Sequence, residues 1–351
     1  MYTARQKRSA IRACALAAAA AFLVVGTASC TKSSAAPTAS SSAQAASVSA
    51  ANKGITIDFV SGPLNDSFFP PLYNGVKDAA ANLGVKVNYI AINEGNLVPS
   101  SVQTMQAAIA EHPSAIVVGD FVTSSVDPLI KQAIAAGIPV YVDQSGQESW
   151  AKDGAFGFVG QQGGAAGNAA AQQMISAGAK NVLCVIHNAG NPYLNQVCNG
   201  FIATMKAAGG TVSELNFPIS DSTNPQKVTS DIGAYLASHH GIQGVFALNA
   251  AVGTDAVAAL SQANLTGKVK VGTLELSKVA INDIQNGTML FLVNEQPYLD
   301  GYYGVLFAYQ YVKYGLAPVG TVNTGPSIIN KANIQKVIET TQQYPDVLGS
   351  S

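Results

Sequence analysis

From Gly54 onward, short runs of β-branched residues alternate with alanine-rich stretches. Ile55–Val60, Val85–Ile92, Ala115–Gly119 and Pro139–Asp143 are read as strands. Between them, Pro70–Leu83, Ser101–Glu111 and Val126–Ala136 carry helical patterning, and Gly84 and Gly137 stop the first and last of these helices. Strands this continuously apolar belong to parallel sheets covered on both faces. The βαβ rhythm predicts an α/β lobe with a doubly wound parallel sheet.

The pattern then starts again. At a constant offset of 125 residues, Asn74-Gly75 falls on Asn199-Gly200, strand Ile57–Val60 on Val182–Val185, and Asp66 and Phe68 on Asn191 and Tyr193. Farther on, Ala115–Asp120 corresponds to Ile242–Asn249 with a slightly larger shift. One register held across strand, loop and helix predicts two similar lobes.

Residues 1–29 read as an address. A basic start (Arg5, Lys7, Arg8, Arg12) precedes the apolar run Ala13–Val25. That run is shorter than the ~20 residues of a spanning helix and suits an export signal. Gly26–Cys30 resembles the lipobox of bacterial lipoproteins, in which Cys30 would be lipidated; cleavage near Ala28 by ordinary signal peptidase is the alternative. Residues 30–53, rich in Ser and Ala without an aromatic, read as a disordered tether. The expected location is outside the cytoplasm, lipid-anchored to the outer face of the cell membrane.

Charge sharpens the picture. The 351-residue chain is 11% charged with a formal net charge of −1, which leaves no basic footprint for nucleic acid. All three arginines lie in the address, so beyond it fifteen lysines face twenty acidic residues. Guanidinium clamping of a phosphate or carboxylate is thereby excluded. Of four cysteines, Cys184 and Cys198 remain after Cys14 and Cys30 are assigned to the signal and the lipid. In an oxidising compartment they are expected to form a disulfide between a strand and the next helix, two free buried thiols being the alternative.

In open α/β sheets ligands bind beyond the carboxyl ends of the strands. The residues there are Asp66, Phe68 and Phe69 after the first strand, Asp120 after the third, and Asp143 and Gln144 after the fourth. In the second half they are Asn191, Tyr193, Asn249 and Glu275, with Glu295 near a late crossover. Carboxylates and amides read hydroxyl groups in networks, and aromatic faces cover the apolar side of a sugar ring. No nucleophile elbow, Walker loop or metal-ligand spacing occurs: Gln262 stands where the first Walker glycine belongs, and His112, His187, His239 and His240 read as solvated surface. The glycine-rich Gly160–Gly167 reads as a flexible crossover. Neither an enzymatic activity, a cofactor nor a metal is expected.

Leu64-Asn65-Asp66-Ser67-Phe68-Phe69 resembles the L-N-N-P-F-F opening of ribose-class type I periplasmic sugar-binding proteins. Gly137–Val140 with Asp143 resembles their AGIPV…D strand, Gly272–Ser277 their GTFDLS segment, and Gln296–Tyr302 their QQPYLQGY segment. The resemblance implies the type I periplasmic binding protein fold, two lobes with a hinge and an interlobe cleft. It divides the chain into 54–159 plus 296–322 for one lobe and 160–295 plus 323–351 for the other. It implies Asp66, Asp143 and Asn249 on ligand hydroxyls and Phe68 and Phe69 stacking on the ring. Gln144 and Val197 stand where the family carries arginine, and Glu275 replaces an aspartate, which points away from ribose toward another neutral sugar or polyol. The implied partners are an ABC permease and a separate ATPase subunit, with the binding protein a monomer. A sugar-sensing lipoprotein serving a membrane receptor, and a binder of a sugar-like signal or nucleoside, are the alternatives.

Overall fold

The computed structural model describes Asn52, residues 54–318 and residues 320–348. The signal, Cys30 and nearly all of the tether lie outside the described residues, within which no helix is long and apolar enough to cross a membrane.

The first half of the chain forms β1 (Thr56–Ser61), α1 (Phe69–Leu83), β2 (Lys86–Ala91), α2 (Leu97–Glu111), β3 (Ala115–Gly119), α3 (Thr123–Ala135), β4 (Val140–Asp143) and β5 (Phe158–Gly160). Next come α4 (Gly163–Ser176), β6 (Asn181–Ile186), α5 (Pro192–Ala207), β7 (Thr211–Asn216), α6 (Ile219–Ser222) and α7 (Pro225–Ser238). They are followed by β8 (Gly244–Ala247), α8 (Ala250–Gln262), β9 (Lys270–Leu274), α9 (Lys278–Asn286) and β10 (Phe291–Asn294). The chain then returns through α10 (Pro297–Tyr314), β11 (Thr321–Asn323), β12 (Ser327–Asn330), α11 (Ile334–Gln343) and α12 (Pro345–Leu348).

Two six-stranded sheets result, ordered β2-β1-β3-β4-β5-β11 and β7-β6-β8-β9-β10-β12. Every pairing is parallel except β10 with β12. The repeat read from sequence is therefore a repeat of topology, β1 to β5 matching β6 to β10. Helices cover both faces of each sheet, and this explains the continuous apolar runs. Ile57, Phe59, Val117 and Tyr141 pack with α1 and α10, whereas Val60, Ile116, Val118 and Val142 pack with α2 and α3. In the second lobe Val182, Cys184 and Phe246 pack with α4 and α5, and Leu183, Val185 and Val245 with α7, α8 and α9.

Equivalent glycines set the tightest helix crossings. A Cβ on Gly75 in α1 would overlap the Tyr298 carbonyl of α10, and one on Gly200 in α5 would overlap the Gly164 carbonyl of α4. The glycines of 160–167 thus serve close packing within α4 as well as a crossover. Helix α2 starts at Leu97, before the Ser101 expected from sequence. Pro99 lies in its first turn, where no backbone donor is needed.

Three crossovers join the lobes, after β5, β10 and β11. They are tied side by side: Thr324 N donates to Gly160 O at 3.3 Å, and the Gln296 side-chain amide donates to Thr324 O. Two details depart from the division read in sequence. Asn52, assigned to the tether, is buried and donates to Leu83 O at 2.7 Å. Helix α12, assigned to the second lobe, rests on the first, with Asn74 Nδ2 donating to Asp346 O at 2.9 Å.

Cys184 in β6 and Cys198 in α5 lie side by side with Cα atoms 6.4 Å apart, within disulfide reach. The unreduced protein is expected to be lighter by the two thiol hydrogens than the reduced one. Two thiols titrating without reductant would refute the pairing.

Candidate functional site

The carboxyl ends of both sheets face a common cavity, as the strand-end rule requires. From the first lobe it is lined by Asp66, Phe68, Phe69, Glu94, Phe121, Gln144 and Ser145; from the second by His187, Asn188, Asn191, Tyr193 and Glu275. Gln161, Glu295 and Asp300 contribute from the crossovers and the first turn of α10.

The repeat explains how these groups are aimed. Asp66 Oδ1 accepts from Phe68 N at 2.8 Å, and Asn191 Oδ1 accepts from Tyr193 N at 2.9 Å, the same turn at equivalent positions. Asn191 also caps α5 through Leu194 N at 3.3 Å. Gln144 and Glu275, each directly after the fourth strand of its sheet, both adopt left-handed backbone with φ of 60° and 66°. Their amides donate to Val159 O and Val293 O, both at 2.9 Å. Such conformations are costly for side-chain-bearing residues and persist where the surroundings enforce them, commonly at functional sites.

The aromatic wall is an edge-to-face series. Phe68 and Phe69 have ring centroids 5.2 Å apart, and Phe69 and Phe121 6.1 Å apart. Phe69 lies directly over Gly62, where a Cβ would enter its ring.

Eight of the residues singled out in sequence line the cavity: Asp66, Phe68, Phe69, Gln144, Asn191, Tyr193, Glu275 and Glu295. Three do not. Asp143 is fully buried and accepts from Gln144 Nε2 at 3.0 Å, so it orients Gln144 from behind. Asp120 turns toward Ser149, whose hydroxyl lies 3.4 Å away, and its neighbour Phe121 lines the wall instead. Asn249 caps α8 through Ala251 N at 2.9 Å and donates to Glu275 Oε2 at 3.0 Å, fixing that carboxylate. His187, read as surface, lines the cavity. Glu94, Gln161 and Asp300 were missed. Glu94 stands just beyond the second strand, a carboxylate at a strand end like the others, and Asp300 is itself a departure from the QQPYLQGY pattern, an acid where that pattern has glutamine.

Several buried polar atoms here have no partner within the protein: both amide atoms of Gln161, Asp300 Oδ1, Ser145 Oγ, Tyr193 OH and His187 Nδ1. Buried polar groups are normally satisfied, so this concentration marks a place where another molecule supplies the hydrogen bonds.

Burial pushes the carboxyls up: Asp143 to about 8, Glu295 and Glu94 to about 7, with Asp66, Glu275 and Asp300 also raised. After burial, the Asp66 charge is the next cause raising Glu275, which places the two lobes' acids within electrostatic reach. Burial pushes His187 down to about 4. The stability consequence has a definite sign. A carboxyl raised in the folded state contributes stability that is complete below its unfolded value of about 4 and is lost as pH climbs through the folded value. His187 works the opposite way between pH about 4 and 6.5, one group against several. The melting temperature of the ligand-free protein is expected to fall by several degrees between pH 5 and pH 8.5. A rise over that interval, measured by calorimetry, would contradict the buried-acid account.

Known proteins share this architecture. Residues 57–316 match the periplasmic binding protein domain. A carbohydrate transporter from Acidothermus cellulolyticus, solved with myo-inositol, is 29% identical with a TM-score of 0.74, covering 82% of this chain and 98% of that one. A solute-binding protein from Agrobacterium vitis bound to α-D-tagatopyranose is 25% identical with a TM-score of 0.69, covering 80% and 96%. The xylose/arabinose-binding protein XylF of Sulfolobus acidocaldarius is 24% identical over 302 residues, 80% of this chain and 72% of its own. With 260 consecutive residues matched and both lobes accounted for, the chain belongs to the periplasmic binding protein domain family.

Proposed function

We propose that this protein captures a simple sugar or polyol in the interlobe cleft and delivers it to an ABC permease driven by a separate ATPase subunit, without chemical change to the ligand. The observation that carries the reading is the group of unpartnered buried polar atoms beside the Phe68–Phe69–Phe121 wall. Hydroxyls both donate and accept, so one polyol can satisfy Gln161, Tyr193 and the carboxyls together while its apolar face lies on the rings. The relatives solved with myo-inositol and tagatopyranose carry ligands of this kind.

Binding across the three crossovers favours a closed population, because only there does the ligand touch both lobes. Exclusion of water then raises the penalty for a misplaced hydroxyl. The signal pattern and the Gly26–Cys30 segment support export and attachment through lipidated Cys30, with residues 31–51 as the tether of a monomer held outside the cell membrane.

A thermal-shift panel of pentoses, hexoses, polyols and nucleosides tests the reading. A cognate ligand at about 100 times its Kd stabilises the fold by about 2.7 kcal/mol. A shift confined to nucleosides, or no shift with any compound, would overturn it.

A further inference from the structure

Five carboxyl groups drawn from both lobes, Asp66, Glu94, Glu275, Glu295 and Asp300, line one cavity, and no lysine or arginine is among its described lining residues. The ion pairs among the described residues join Lys131 to Asp153, Lys152 to Asp127, and Lys227 to Asp221 and Asp231; none reaches the cleft. Arginine is absent beyond Arg12.

Two buried side chains independently point to an occupant. Gln161 is 3% exposed with both amide atoms unpartnered, and Asp300 is 1% exposed with a free Oδ1. Neutral hydroxyls can hydrogen-bond to these carboxyls but bring no charge to set against an ionised one. An ammonium group brings several donors and a compensating charge to the same spot. Charge-assisted hydrogen bonds are about twice as strong as neutral ones.

Resting on the sugar-binding reading and narrowing it, we infer that the cleft selects a sugar or cyclitol bearing a protonated amine over its neutral counterpart. The missing arginines argue against an anionic ligand; the surplus of acids goes further and favours a cationic one. Burial raises these carboxyls, and a cation seated among them would draw them into the ionised form.

Matched series test this by titration calorimetry at about pH 7, where the amines are largely protonated: D-glucosamine, D-glucose and N-acetyl-D-glucosamine; D-galactosamine, D-galactose and N-acetyl-D-galactosamine; and an aminodeoxyinositol with myo-inositol. In at least one series the amine is expected to bind about tenfold or more tighter than its neutral members. Glu275→Gln combined with Glu295→Gln should bring that ratio close to one, the amine losing more affinity than its neutral counterpart. Neutral members binding as tightly as the amine, or a ratio unchanged by the double substitution, would overturn the inference and leave sugar binding standing. Failure of every compound to bind would remove the sugar-binding reading and this inference with it.

Discussion

Gly200→Val is expected to fold with a melting temperature about 5 °C below the parent, the scale of a packing defect of about 3 kcal/mol in a folded region of roughly 300 residues. The reason is backbone meeting backbone. Gly200 faces the Gly164 carbonyl, and Gly167 one turn along faces the Val197 carbonyl, so α4 and α5 touch along a glycine seam. A side chain there cannot be accommodated by a rotamer change, and the two helices must move apart. Gly75→Val should act alike on the α1–α10 seam, because Gly75 faces Tyr298 and Gly301 faces Leu72. Gly233 provides the control: it lies within α7 with open space around its Cα. Gly233→Ala should leave the melting temperature unchanged or raise it, as expected of alanine in a helix. A Gly200→Val protein melting within a degree of the parent would show that the seam is looser than described.

The second large effect concerns affinity. Gln161→Ala is expected to weaken binding of the cognate sugar roughly 5–150-fold, the loss of a buried hydrogen-bonding group worth about 1–3 kcal/mol. The ligand-free protein should be equally stable or more stable, because the substitution removes an amide that finds no partner within the protein. Calorimetry and thermal melting read the two arms separately. A residue holding the hinge for structural reasons would give the reverse, unchanged affinity with a lower melting temperature.

The doubly wound lobes and their duplication were legible in the sequence because both depend on local signals, apolar runs between glycine stops and a constant register. The residues that turned away from the cavity show where such signals end. Asp120, Asp143 and Asn249 all stand at or just beyond strand ends, and such a position specifies the rim of the sheet without specifying which way a side chain rotates. Competing local partners decided that: Ser149 for Asp120, Gln144 for Asp143, and the first turn of α8 for Asn249. Gln161 and Asp300 were missed for a different reason. They meet the cleft through the crossovers and through α10, over contacts that no helical or strand periodicity encodes.

The same crossing path has a consequence for the order in which the molecule can be assembled. Ile57, Phe59 and Val117 of the first sheet are roofed in part by Val305 and Ala308 of α10, which is synthesised only after every strand of the second sheet except β12. The nascent first lobe therefore emerges with one apolar face incomplete, and it cannot close as an independent unit while the second lobe is still being made. Chain order makes the two halves finish together, and a fragment ending before Pro297 would expose the face that α10 was meant to cover.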